Sequence, residues 1–476
     1  MKQRYGSQFE KMTKTPVEKL VLMLGLPTTI SMMVTTFYSM ADTYFVGKLG
    51  TSATGAIGIV FPLMGIIQAL GFMLGHGCGS NISRLLGAKE TEKASDYAST
   101  AFFVSLFTGV VLALFGSFFV EPLMRLLGSS ETILPFARTY GIFIVCGIPA
   151  MMSSFVMNNI LRYEGRASLA MIGLVLGGLL NVFGDWLTIS GLGMGIEGVG
   201  ISTMLSNYVS MSLLLSMFLQ KKTVTRLQIR RLFTNRNLRL QHSADGNDAS
   251  ATMQRNEEST PHRIGNIIVT GLPSLARQGM SAAATMSMNW MAGPFGDAAI
   301  AAMSVVMRIS FMLYAVGLGI GQGFQPVCGF NYGAGLYARV RRAAYFTWVF
   351  ATGLMVVLAV SGWFIADDLV ALFRRDPEVI SIGGPALQYQ LLSLFLVPVS
   401  FIGNMLFQSI GKNGRALFLS CLRNGLCYIP ALFILVPAFG LFGIQIAQPV
   451  ADVLTAMITL PFFISFLQKL TVNAKK

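Results

Sequence analysis

The chain has 476 residues, of which 53% are hydrophobic and only 12% are charged, and its mean hydropathy is +0.63. An ordinary soluble domain has roughly 25% charged residues, so this composition excludes a single soluble core and predicts a polytopic membrane protein. The net charge of +14 does not indicate nucleic-acid binding, because the basic residues lie in the tails and in short loops between apolar runs. The cysteines form no Cys-x-x-Cys pair, which predicts inert thiols.

Twelve apolar runs follow a basic N-terminal tail that is polar for too long to be a secretory signal. Crossing a bilayer as a helix takes about 20 residues. The predicted spans lie near residues 20–46, 52–77, 96–120, 136–160, 167–190, 195–219, 265–291, 298–330, 341–365, 385–410, 416–437 and 441–468. Between the sixth and seventh spans, residues 220–264 are basic and polar with no clear period, so we expect a flexible cytoplasmic linker.

Lys and Arg residues concentrate in the two tails, in alternate loops and in the linker. The N-terminal tail alone carries Lys2, Arg4, Lys11, Lys14 and Lys19. The intervening loops are poorer in these residues, or their arginines are offset by neighbouring acids. The positive-inside rule therefore places both termini in the cytoplasm and predicts a multi-pass protein of the cytoplasmic membrane.

The two halves of the sequence resemble each other. The letters GLP at residues 25–27 recur at residues 271–273, an offset of 246, and five further glycines recur at the same offset. Pro149 pairs with Pro398, and GRA at 165–167 recurs at 414–416, at an offset of 249. Because each copy has six spans, both enter from the same side, as in parallel transporter repeats. We expect an N-lobe, residues 1–219, and a C-lobe, residues 265–476.

The eighth predicted span ends in GIGQGFQPVCGFNYGA, residues 319–334, and the first ends in MADTYFVGKLGTSA, residues 40–53. These motifs resemble the multidrug and toxic compound extrusion (MATE) family, and the resemblance covers nearly the whole chain outside the linker. It implies an all-α fold of twelve transmembrane helices in two six-helix lobes. Spans 7 and 10 contain no acid, so the chain resembles the DinF-like branch, which concentrates its acids in the N-lobe.

Two acids interrupt apolar spans of the first half. Asp42 lies near the outer end of span 1, and Asp185 lies near the outer end of span 5. Asn181 is four residues before Asp185, which puts both side chains on one helix face. Thr203 falls at a matching depth in span 6. Two carboxylates, an amide and a hydroxyl would form an oxygen-rich pocket for Na⁺, and repulsion between close carboxylates would favour a proton.

The alternative is that both acids are helix-end residues that reach for headgroup water. Against it, the second repeat carries Met288 and Ile434 at the positions equivalent to Asp42 and Asp185. A structural role would more naturally be needed in both copies. The family resemblance implies the same coupling residues, and a main-chain carbonyl near Val199 would add a ligand. Trp186 stands where many relatives have proline, which leaves the local helix bend open.

The sequence also offers candidates for a substrate cavity. Met and aromatic side chains suit varied amphiphilic compounds, although most such residues in a membrane protein face lipid or pack between helices. The candidates are Met33, Phe37, Met157, Arg277, Gln278, Met280 and Met288. A snorkelling or interhelical role is the alternative for Arg277. His76 is expected to be a packing or interfacial residue, and Glu164 is expected to form a cytoplasmic salt bridge with a flanking arginine.

The resulting hypothesis is a secondary-active exporter that exchanges H⁺ or Na⁺ for amphiphilic drugs, which the resemblance implies are cationic. No enzyme constellation or bound cofactor is expected. The expected partners are small-molecule drugs and the lipid bilayer, and the chain is expected to be a monomer. A lipid-linked saccharide flippase is the alternative, but it would line its cavity with several cationic residues and often have fourteen helices. A major-facilitator transporter would lack the motif of span 8.

Overall fold

The computed structural model describes residues 2–47, 49–232 and 259–473, with the side chains of residues 38–44 outside the description. All regular structure in these ranges is helical. The first half contains α1 (Lys2–Lys14), α2 (Val17–Gly47), α3 (Thr51–Gly87), α4 (Thr91–Phe118), α5 (Val120–Leu126), α6 (Leu134–Tyr163), α7 (Ala167–Trp186) and α8 (Gly195–Leu219). The predicted spans 1 to 6 are therefore confirmed as α2, α3, α4, α6, α7 and α8.

The second half repeats this order. It contains α9 (Thr260–Ala292), α10 (Asp297–Gly333), α11 (Tyr337–Phe364), α12 (Ala366–Phe373), α13 (Pro377–Ser393), α14 (Val397–Ser409), α15 (Asn413–Cys421), α16 (Tyr428–Phe439) and α17 (Leu441–Asn473). The short helices α5 and α12 begin at Val120 and Ala366, which are 246 residues apart, the predicted offset of the repeat. Spans 10 and 11 are each made of two helices, α13 with α14 and α15 with α16.

Eleven of the spans are long and apolar enough to qualify as membrane helices within the described ranges. The seventh span, α9, is the most polar because it carries His262, Arg263 and Arg277. Its 33 residues correspond to about 50 Å at 1.5 Å per residue, which is enough to cross a bilayer. The all-α polytopic fold with twelve crossing helices is confirmed.

The two repeats meet through α2, α3, α9 and α10, which pack as α2 on α10 and α3 on α9. Glycines allow the backbones to touch. A Cβ on Gly77 of α3 would lie 1.9 Å from the carbonyl oxygen of Ile267, and a Cβ on Gly323 of α10 would lie 2.3 Å from Gly25 Cα. Gly77 and Gly323 are repeat equivalents, so the interface has two-fold pseudosymmetry and close glycine packing.

A second equivalent pair closes the same interface nearer to the chain termini. A Cβ on Gly87 would lie 2.0 Å from the Phe330 carbonyl oxygen, and a Cβ on Gly333 would lie 2.0 Å from the Arg84 carbonyl oxygen. These contacts lie at the ends of α3 and α10 that share a side with both termini, which we call the terminal face. Gly87 and Gly333 thus bring the backbones of α3 and α10 into direct contact.

The terminal face holds two segments that the sequence predicted as polar tail and flexible linker. The tail forms α1, and Asn331 of α10 donates to the Met12 carbonyl oxygen at 3.2 Å. Residues 220–232 pack on the first repeat, where Thr225 is fully buried. This first part of the predicted linker is ordered, because Glu164 accepts hydrogen bonds from the Val224 and Thr225 amides at 2.9 and 2.8 Å. Residues 233–258 lie outside the described ranges.

Candidate cation-coupling site

Helix α7 turns its polar side chains inward and its apolar ones outward. Asn181 is 4% exposed and Asp185 is fully buried, which confirms that the two residues share a face. Phe183 and Trp186, on the opposite face, are about half exposed at 56% and 48%. This inverted pattern is that of a membrane helix, whose apolar face meets lipid while its ionisable residues face the bundle interior.

Small residues bring α8 against this polar face. A Cβ on Gly184 would lie 2.3 Å from the Ser202 hydroxyl oxygen, so α7 and α8 approach with nothing between them. At this contact Asn181 Nδ2 donates to Thr203 Oγ1 at 3.1 Å, and Ser202 Oγ donates to the Asn181 carbonyl oxygen at 3.0 Å. The structure therefore brings together three of the predicted residues, Asn181, Asp185 and Thr203, on two adjacent helices.

The helix changes pitch directly after the buried acid. Leu187–Gly191 forms a π-helical turn that continues α7 without a proline. Thr188 Oγ1 donates to the Gly184 carbonyl oxygen at 2.8 Å and stabilises the transition. Short π-helical turns of this kind are frequent at functional sites. A π-helical turn thus follows Trp186, where many relatives have proline.

Helix α2 packs against α7 and carries Asp42. The Asp42 side chain lies outside the described residues, so the structure gives the helix that carries it but no distance to Asp185. Val199 of α8 is fully buried. Carboxylate, amide and hydroxyl oxygens are the donors that a hard cation prefers, and the amide group of Asn181, which donates to Thr203, keeps its oxygen for such a ligand. These side chains fit either Na⁺ or a proton on Asp185.

The predicted cavity residues separate into two groups. Met33 and Phe37 of α2 are 36% and 53% exposed, and Arg277 and Gln278 of α9 are partly buried. By contrast, Met157 and Met288 are fully buried among packed helices, and Met280 lies against Gly425. In this conformation Met157, Met280 and Met288 therefore serve packing rather than an open surface.

Sequence reasoning missed an acid in the second repeat. Asp452 of α17 is 3% exposed and binds Arg423 through Nε and Oδ1 at 2.7 Å. Ser393 Oγ donates to Asp452 Oδ2 at 2.9 Å, and Gln448 Nε2 donates to Oδ1 at 3.0 Å. The internal repeat offered a signal for this acid, because α8 and α17 share two short motifs. GI at residues 195–196 recurs at 443–444, and FLQK at residues 218–221 recurs at 466–469. This offset of 248 places Asp452 one residue beyond the equivalent of Thr203.

The MatE family model matches the chain twice, over residues 27–187 and 273–434. The two matched segments start 246 residues apart, which is the offset of the internal repeat. Together they cover more than half of the chain. The chain belongs to the MATE family.

Relatives of similar length extend this family assignment to the full chain. The multidrug export protein MepA of Staphylococcus aureus is 24% identical over 467 residues, which cover 97% of each chain. A protein named FAD transporter from Shewanella oneidensis is 26% identical over 469 residues and covers 95% of each chain. Both relatives therefore align with nearly the whole of this chain.

Solved MATE structures share the fold. A structure described as the outward-facing conformation of a multidrug resistance MATE family transporter superimposes with a TM-score of 0.86 at 24% identity, over 97% of this chain and 98% of the other. A transporter from Pyrococcus furiosus, described as having a binding pocket of reversed polarity, also gives a TM-score of 0.86 at 24% identity, with the same coverage. The likeness establishes the arrangement of helices in this MATE protein.

Proposed function

We propose that this MATE protein is a secondary-active multidrug exporter that exchanges H⁺ or Na⁺ for amphiphilic compounds. The observation that carries the proposal is the fully buried Asp185 beside the Asn181–Thr203 hydrogen bond. An ionisable group held inside a membrane bundle marks an ion pathway by default, because burial of its charge costs several kcal/mol. The names of the MepA relatives support export of drugs.

The coupling pocket consists of Asp42, Asn181, Asp185 and Thr203, with the Val199 carbonyl as a further ligand. Binding of one cation removes one negative charge from the pocket, so the protein then has less charge to bury when α2, α7 and α8 pack closely. Loss of the cation restores the charge and favours a more open arrangement. A ligand shifts such an equilibrium only by its different affinity for the two states.

The two repeats act as lobes, residues 1–219 and 265–476, joined by residues 220–264. We assign the terminal face to the cytoplasm, because the basic residues of the tails and alternate loops lie there. With that orientation, the glycine contacts of α3 with α9 and of α2 with α10 close the cytoplasmic side. Rocking of the lobes alternately breaks and restores this contact and exposes the cleft between them to each side in turn, in a monomer of the cytoplasmic membrane.

The position of the acid pocket and the exposed residues of α2 also support a branch of the family and a class of substrate. An acid pocket in the first repeat is the DinF-like arrangement. Met33 and Phe37, which are exposed in this structure, are the proposed apolar wall of the cleft for amphiphilic cations. A lipid-linked saccharide flippase is the second candidate, because Arg162 and Arg277 bring cationic groups to the interface of the repeats. The double match to the MatE family model favours the exporter.

Ethidium efflux from proteoliposomes tests the proposal. The purified protein is reconstituted, and a pH gradient and a Na⁺ gradient are imposed separately. At least one gradient is expected to drive ethidium against its concentration difference, and the effective gradient identifies the coupling ion. No effect of either gradient would remove the antiporter mechanism.

A further inference from the structure

Arg162, at the end of α6, is a buried cation whose contacts are all neutral. Its side chain is 3% exposed. Its two terminal nitrogens donate to Gln322 Oε1 and Asn159 Oδ1, and its guanidinium lies 5.5 Å from the centre of the Tyr163 ring. No described carboxylate forms an ion pair with it, and its buried Nε has no acceptor. A buried charge without a counter-ion is costly, so this arrangement calls for an anion.

Glu164, two residues further along, does not supply the missing charge. Its carboxylate accepts from the Val224 and Thr225 amides and from the Thr225 hydroxyl, and its nearest cation is Arg166 at 3.8 Å. The acid thus anchors the segment after α8 and leaves Arg162 uncompensated.

His76 of α3 adds a second buried donor beside the same tyrosine. It is 1% exposed, and its ring centre lies 6.4 Å from that of Tyr163. Gln408 Nε2 donates to Ser274 Oγ at 3.0 Å, so the Ser274 hydroxyl hydrogen is available for His76 Nδ1, 2.8 Å away. In the tautomer in which Ser274 donates to Nδ1, the hydrogen of the neutral His76 ring is on Nε2. His76 Nε2 is buried and has no acceptor among the described residues.

Arg277 of α9 brings a second cation to this place. It lies one turn beyond Ser274 on the same helix, and no described carboxylate forms an ion pair with it. We call the two cations Arg162 and Arg277, together with the neutral donor His76, the cationic cluster.

We propose that the cationic cluster binds the carboxylate or phosphate of an amphiphilic substrate. The inference rests on the proposed transport function and adds an anionic group to the expected substrates. Arg162 and His76 belong to the first repeat, whereas their partners Gln322 and Ser274 belong to the second. Separation of the repeats at the terminal face removes those partners and exposes the Arg162 and His76 donors to an incoming anion, while Arg277 moves with the second repeat and lines the other side of the opening. Reclosure restores Gln322 and Ser274, which then compete with the anion and release it.

A matched pair of fluorescent probes tests the site, a rhodamine carboxylic acid and its methyl ester. Binding to the purified protein in detergent is followed by fluorescence anisotropy for the wild type, Arg277→Gln and His76→Gln. Arg308→Gln is the control, because Arg308 is an exposed arginine of α10 outside the cluster. The wild type is expected to bind the acid about tenfold more tightly than the ester, as for one added charge pair. Arg277→Gln and His76→Gln should reduce that preference and leave ester binding unchanged.

Equal affinity for acid and ester in the wild type overturns the site, as does an absence of acid binding. The same conclusion follows if the preference persists in both cluster variants, or if Arg308→Gln removes it equally. Ethidium carries no anionic group, so its gradient-driven efflux reports on the transport function alone. A loss of acid preference with normal ethidium efflux therefore separates failure of the site from failure of the exporter.

Discussion

Asn181 of α7 and Thr203 of α8 are joined by a hydrogen bond of 3.1 Å at the level of Asp185. Both side chains are buried, and the bond crosses a helix interface that is narrow enough to require Gly184. The residues that hold the two helices together are thus also proposed ligands of the coupling cation. Cation binding and helix packing are therefore expected to depend on each other.

Replacement of the hydroxyl tests this dependence. Thr203→Val preserves the shape of the side chain but removes the acceptor of Asn181 and one oxygen ligand. We expect the coupling-ion concentration for half-maximal efflux to rise about tenfold, equivalent to about 1.4 kcal/mol. Thr203→Ser keeps the oxygen and should behave like the wild type. An unchanged ion dependence in Thr203→Val would exclude Thr203 from the pocket.

The glycine interface gives a prediction about closure of the terminal face. In Gly77→Ala the new methyl would lie 1.9 Å from the Ile267 carbonyl oxygen, so the repeats cannot approach as they do here. Efflux should fall by at least about tenfold while the yield of folded protein stays normal. Gly279→Ala in α9 is the matched control, because its Cβ would meet nothing within 4 Å. Normal efflux by Gly77→Ala would show that the cycle does not need this contact.

The sequence predicted features that follow from local period or from the repeat. Asn181 and Asp185 are four residues apart, so their shared buried face follows from helix geometry. The recurrence of Gly77 at Gly323 follows from the repeat, and both glycines lie at backbone contacts between the repeats. These patterns need no knowledge of which helices are neighbours.

Pairings between distant helices were not predictable in the same way. Asp452 and Arg423 are 29 residues apart on different helices, and only packing makes them partners. Glu164 lies between two arginines in the sequence, which indicated a surface salt bridge, yet its main partner is Thr225, 61 residues away. In both cases the folded geometry overrides the local charge pattern.

Glu164 also gives a pH prediction. Burial raises the pKa of this carboxyl above its ordinary 4.5, although hydrogen bonds from Thr225 and Val224 oppose the shift. A raised pKa in the folded state means that the folded protein holds the proton more tightly than the unfolded chain. The contribution of Glu164 to stability must then decrease as pH rises from about 4.5 through the raised pKa.

Thermal unfolding at several pH values checks the direction of this change. The comparison is with Glu164→Gln, whose side chain cannot titrate. The wild-type unfolding temperature should fall relative to that of the variant as pH rises above 4.5. A relative increase would mean that the folded pKa is lowered and that hydrogen bonding outweighs burial.

The Arg423–Asp452 pair is predicted to stabilise the second repeat rather than to couple transport. Asp452→Asn leaves Arg423 without its carboxylate and should destabilise the protein by about 3 kcal/mol. The double variant Asp452→Leu with Arg423→Met removes both charges and should recover most of that loss. Thermal unfolding in detergent measures both effects. Wild-type stability of Asp452→Asn together with lost efflux would instead assign Asp452 to coupling.

The most direct test of the coupling site is gradient-driven ethidium efflux by Asp185→Asn in proteoliposomes. Asparagine keeps the shape of the side chain but cannot exchange a proton or supply a negative charge. The exposed Asp297 at the start of α10 provides the control variant, Asp297→Asn. If Asp185 forms the coupling site, Asp185→Asn reconstitutes normally and shows no gradient-driven efflux, while Asp297→Asn matches the wild type. Wild-type efflux by Asp185→Asn would contradict the coupling role of this residue.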